Sequence, residues 1–208
     1  MFRCRQAPLE PERVGAVRLE DTLAEDFAAY RRERLCWWTD TTPVPVPEGI
    51  EPWPHDPGPP FEVWPGLAPG TPPSAAQPEP EHVAASLLGH LVATRHSGLG
   101  ECRLVLVPAR HGSDVLAAIG WTADAPLPLL CALLRSWEER FGARLVAVYG
   151  SEPHVVVQRP PTDADHTGLL ALEHVLTRAG NIVDDPPTPF PDYAADLAGR
   201  AAWSFWWD

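Results

Sequence analysis

Arg110-His111-Gly112-Ser113-Asp114 brings a cation, an imidazole, a hydroxyl and a carboxylate together within five positions. Those groups could perform nucleophilic hydrolysis, in which an imidazole takes the hydroxyl proton and a carboxylate orients the imidazole. Sequence neighbours rarely act this way, because the partners must converge from different elements, and no G-x-S-x-G elbow surrounds Ser113. The plainer reading makes Ser113 the N-cap of a short helix. The loop follows a strand-like run, where sites of α/β proteins often lie. Arg110, His111 and Ser113 are therefore the candidate pocket residues, and no catalytic residue is assigned.

The other chemistry-bearing residues fall into weaker patterns. His90 and His96 are six apart, and His166 and His174 eight apart, so neither pair has helical ligand spacing. Glu173 lies on another helical face from His174. No H-E-x-x-H and no C-x-x-C occurs, so neither a metal nor a cofactor is expected. The glycines of "GSEPH" and "SGLGE" lack the context of a phosphate loop. Glu138-Glu139 and Asp184-Asp185 read as solvated pairs. Trp64 and Trp121 stand at element ends, where an indole either plugs the core edge or anchors a partner.

These residues need elements to hold them. A helix is expected over Asp21 to Leu35, with Thr22 and Glu25 as a capping box. Fourteen of the 26 prolines fall between Pro43 and Pro80, which excludes regular structure there. "FEVWPGL" within that arm is apolar enough to be pinned to the body. A helix from Glu81 to Arg95, a buried strand at "CRLVLVP" and a short helix at "SDVLAAIG" follow. The clearest helix runs from Pro126 to Phe141 and stops at Gly142. "ARLVAVYG" and "HVVVQ" read as an antiparallel hairpin. Asp163 caps a helix over Ala164 to Ala179, and a last helix spans Asp192 to Ala201.

The chain ends in "WSFWWD". Alternation puts Trp203, Phe205 and Trp207 on one face of a strand and Ser204 and Trp206 on the other. Both faces are then apolar, which suits a strand covered on both sides or sitting inside a sheet; an exposed ligand platform is the alternative. Asp208 carries two carboxylates and calls for water or an arginine such as Arg144 or Arg159. The whole divides into a helical segment (1–42), a proline-rich irregular arm (43–80) and an α+β domain (81–208). That domain is expected to be a small mixed or antiparallel sheet with the tryptophan-rich terminal strand, covered by amphipathic helices.

"LLCALLRSWEERFGARLVAVY", Glu173-His174, "PDYAADL" and "WSFWWD", with "FEVWPGLAPG" and "LVLVPARHGSDVLAAIGW" upstream, resemble a bacterial family known only as a domain of unknown function. The similarity spans Phe61 to Asp208. It implies an α+β fold and no established activity. Thr122 stands where many relatives carry Asn. Arg178 and Gly180 stand where relatives carry Cys and Asp, so any polar site there is altered in this member, and the N-terminal part is short.

The net charge of −12 disfavours nucleic acid and anionic membranes, both of which are bound through clustered cations. "MFRCRQAPLEPE" lacks the apolar core of a signal peptide, and no apolar run approaches membrane-span length, so a soluble cytoplasmic protein is expected. The lead reading is a non-catalytic protein- or peptide-binding protein, of an immunity or accessory type. The candidate contacts are Arg110, His111, Ser113, Trp64, Trp121 and Asp208. The alternative is a small enzyme with its pocket at the 110–114 loop.

Overall fold

A computed structural model describes residues 15–43, 45–74, 78–94, 103–109, 111–184 and 188–208. Arg110 and Asp185 lie outside the described residues, as do Cys4, Cys102 and His96. The first helix, α1, spans Leu19–Thr39 and buries Leu23, Phe27 and Trp38. It starts before Thr22, so the expected capping box does not form; Arg18 precedes the helix without a side-chain cap. Glu20 and Asp21 in the first turn suit the positive end of the helix dipole.

Residues 45–74 contain no regular element, as their prolines require. Phe61, Trp64 and Leu67 nevertheless pack against the core, and Ala68 is buried in it. Gly58 lies on the ring of Trp38 with φ 70°, where a Cβ would come within 2.2 Å of the indole. Helix α2, Pro80–Ala93, then packs on the sheet. The strand expected at "CRLVLVP" is absent from its described residues. Among the described residues, 103–109 pair with no strand, the Ala109 amide donates back to the Val107 carbonyl, and Leu104 and Leu106 are 93% and 89% exposed. β propensity is realised only where a neighbouring strand supplies hydrogen bonds and packing.

A 3-10 turn over Gly112–Asp114 runs into the one-turn helix α3, Val115–Ala118. Ser113 is buried inside that turn and does not cap it; His111 holds the N-cap position. Helix α4, Leu127–Phe141, buries Leu130, Leu133, Leu134, Trp137 and Phe141. It stops at Gly142, whose φ of 64° is left-handed. Strands β1, Ala143–Tyr149, and β2, Glu152–Val157, pair antiparallel, with an irregularity between Leu145 and Ala147.

Helix α5, Ala164–Val175, is capped by the Asp163 carboxylate, which accepts from the Asp165 and His166 amides. It ends earlier than its apolar period suggests. The Thr177 hydroxyl donates to the His174 carbonyl at 2.6 Å, and a hydroxyl bonded to the nearby backbone competes with helix continuation. Arg178 then turns with φ 57°. Gly180–Val183 forms the short α6, and α7 spans Phe190–Asp196.

The terminal strand β3, Ala202–Ser204, joins β2 antiparallel, and the sheet order is β1-β2-β3. The architecture is α+β: among the described residues, seven helices cover one three-stranded antiparallel sheet. Trp203, Phe205 and Trp207 are buried together, and Trp206 faces outward at 38% exposure. The tail is an edge strand. Its outer side is closed by α6. Gly180 N–H donates to the Trp206 carbonyl at 2.6 Å, the Asn181 amide donates to the Ser204 carbonyl at 3.0 Å, and Trp206 N–H donates to Asn181 Oδ1 at 2.8 Å. Asp208 is exposed, and its main-chain oxygen accepts from the Asp124 amide. The arginines expected beside it are engaged elsewhere: Arg144 pairs with Glu138, and Arg159 donates to the Thr71 carbonyl. No described helix is long and apolar enough to cross a membrane.

Candidate functional site

The strongest polar convergence in the molecule lies inside it. Glu173 on α5 is fully buried. Arg140 on α4 meets it with two parallel hydrogen bonds, Nη1 to Oε1 at 2.8 Å and Nη2 to Oε2 at 2.6 Å. Trp137 Nε1 donates to Oε2 at 2.7 Å, and the Ala68 amide donates to Oε1 at 2.7 Å. Arg140 also donates to the Ala68 carbonyl, and Thr71 N–H donates to the Arg140 carbonyl. One carboxylate thus ties α4, α5 and the proline-rich arm together. Its oxygens already accept four hydrogen bonds, which leaves little capacity for substrate. Removing one partner of such a pair costs about 3–5 kcal/mol, because the other charge stays buried.

His174, the next residue, is also fully buried. Its ring lies among Trp137, Trp203 and Phe205 with centroids 4.7–4.9 Å away, and Nδ1 shares a 3.0 Å hydrogen bond with the Tyr193 hydroxyl. Burial, with the charges of Arg140 and Arg200 adding to it, pushes its pKa down to about 3. The imidazole is neutral at physiological pH. Among the described residues, neither its Nε2 nor the Nε1 of Trp203, both buried, has a hydrogen-bond partner. Glu173 and His174 therefore stabilise the junction of α4, α5 and the tail.

The 3-10 turn has a different character. Gly112 and Ser113 line a pocket of about 70 Å³ with Leu134, Glu138, Ala143, Arg144 and Leu145. That volume suits a few waters, well below the several hundred Å³ of typical small-molecule sites. Arg144 donates to Glu138 at 2.9 Å, and Arg135 donates to Asp114 at 2.7 Å. His111 is exposed and does not line the pocket. Ser113 and His111 thus share a turn but point into different surroundings.

The other candidate residues are dispersed. Trp121 is buried, donates from Nε1 to the Gly150 carbonyl at 2.9 Å and meets the ring of Trp207 edge-on. Asp208 lies near it through Asp124. Trp64 belongs to the opposite neighbourhood, against Phe27 of α1. The most exposed indoles are Trp37, 72% exposed, and Trp53, 66% exposed, ahead of Trp206 in the tail. Ile50 and Val46 of the arm are exposed as well, and Gly58 holds that arm against Trp38 at the same end of α1. Trp37 did not stand out in the sequence, and Trp53 did so only as a sign that the arm is more than a linker. The signal was the pair Trp37-Trp38: adjacent helical residues are about 100° apart, so both cannot face one core.

Among the described residues, no cluster of three His, Cys, Asp or Glu side chains could hold a metal ion. No curated protein and no solved structure matches the chain. A family model described as Domain of unknown function (DUF4253) matches residues 103–208, from the 103–109 segment through α3–α7 and the whole sheet to the terminal tryptophans. With just over half of its length matched, and with that half carrying the sheet and the Glu173–His174 junction, the chain belongs to the DUF4253 family.

Proposed function

We propose that this protein acts by binding another protein or peptide, in an accessory or immunity-type role in the cytoplasm, and that Trp37, Ile50 and Trp53 form its contact surface. The observation that carries this reading is the exposure of Trp37 and Trp53 in a chain whose Trp38, Trp121, Trp137, Trp203 and Trp207 are all buried. Exposed indoles are costly in water and are the residues that most often dominate binding at interfaces. The net charge of −12 favours a partner with a neutral or basic face.

The test compares immobilised wild-type protein with a Trp37→Ala/Trp53→Ala double variant in native cell extract. Both side chains are exposed, so the variant should keep its circular dichroism and melting point. The reading expects a retained protein that the variant loses. An identical retained set would contradict it. The enzyme alternative draws on the pocket in which Ser113, Glu138 and Arg144 meet. A turnover that Ser113→Ala abolishes, and that the double tryptophan variant keeps, would favour it instead.

A further inference from the structure

The two edges of the sheet are treated differently. The β3 edge is closed by Gly180 and Asn181. Among the described residues, no main-chain hydrogen bond crosses the outer edge of β1. Open edges invite pairing, and proteins usually cover or charge them. The same chain holds residues 103–109, which among the described residues form no strand and pair with none, the Ala109 amide turning back to the Val107 carbonyl at 3.0 Å. As a strand the segment would be apolar on both faces: Leu104 and Leu106 on one, Val105 and Val107 on the other. That pattern suits a strand covered on both sides. The sheet beside β1 offers such cover, with α2 and α4 both packed on it.

We infer that segment 103–109 of one copy adds to the β1 edge of a second copy, and the reverse, forming a twofold strand-exchanged homodimer. Among the described residues, each chain carries one strand-like apolar segment without a partner and one open sheet edge, so reciprocal exchange satisfies both with closed symmetry. Pairing within one chain is not what the structure holds. The 3-10 turn Gly112–Asp114 contacts the start of β1, while Leu104 and Leu106 stand clear in solvent. This surface is distinct from Trp37 and Trp53, so the two proposals succeed or fail separately.

Light scattering on the purified full chain at high micromolar concentration tests the exchange. Wild type should have the mass of a dimer, and Leu106→Pro, which cannot donate to a strand ladder, should be a monomer. Leu106 is exposed in the monomer, so the variant should keep its circular dichroism; Leu106→Asp gives a second variant with the same expectation. Alternate amides of the segment, those that face β1, should be protected from hydrogen exchange in wild type and not in either variant. A wild-type monomer, with or without protected amides, or a dimer that both variants preserve, would overturn the inference.

Discussion

Among single residues, His174 has the most measurable consequence. Its ordinary pKa is 6.5, and burial holds it near about 3 in the folded protein. Between those values the unfolded chain binds a proton that the folded chain refuses. The His174 contribution is therefore complete above pH 6.5 and is lost as pH falls toward 3, by up to about 1.4 kcal/mol per pH unit. Urea melts of wild type and His174→Phe between about pH 4.5 and 6.5 should differ in slope, the wild type losing stability faster on acidification. Parallel slopes would show that the imidazole titrates normally in the fold. None of this was legible in the sequence. Glu173 and His174 read as weak candidates for chemistry because their partners, Arg140 and Tyr193, lie on other helices, and a linear pattern does not register a pairing across elements.

At the scale of elements, the most legible parts were those with punctuation at both ends. Pro126 and Gly142 bracket α4, and Asp163 marks the start of α5 by a side-chain cap that the structure contains. The hairpin followed from two β-branched runs separated by a tight turn. The misread elements depended on what lay beside them. "CRLVLVP" has the composition of a strand, but its described residues have no strand next to them within the chain. The tail's two apolar faces left an interior or a covered position open, and its outer edge is closed by Asn181 acting in place of a neighbouring strand. Asn181→Ala should cost about 1 kcal/mol and release the Trp206 amide to rapid hydrogen exchange. Unchanged protection of that amide would mean that α6 covers the edge without this side chain.

Over the whole molecule, the aromatic tail and the buried Glu173 act as a single closure. Trp137 stacks on Phe205 and meets Trp203 edge-on, while its indole N–H donates to Glu173. Trp207 donates to the Thr177 carbonyl and packs on Trp121. The arm joins the same assembly through Ala68, and α1 through Leu23 and Phe27. Six of the nine tryptophans are buried or partly buried, Trp206 is 38% exposed, and Trp37 and Trp53 are the most exposed, which is the observation behind the proposed binding role. The most direct test is deletion of residues 203–208, followed by thermal unfolding monitored by circular dichroism. The tail buries three large aromatic side chains, each worth about 1.5–3 kcal/mol, against a typical domain stability of about 5–15 kcal/mol. The truncated protein should lose its cooperative transition altogether. A truncated chain that unfolds cooperatively at the wild-type midpoint would contradict the account and make the tail a surface appendage.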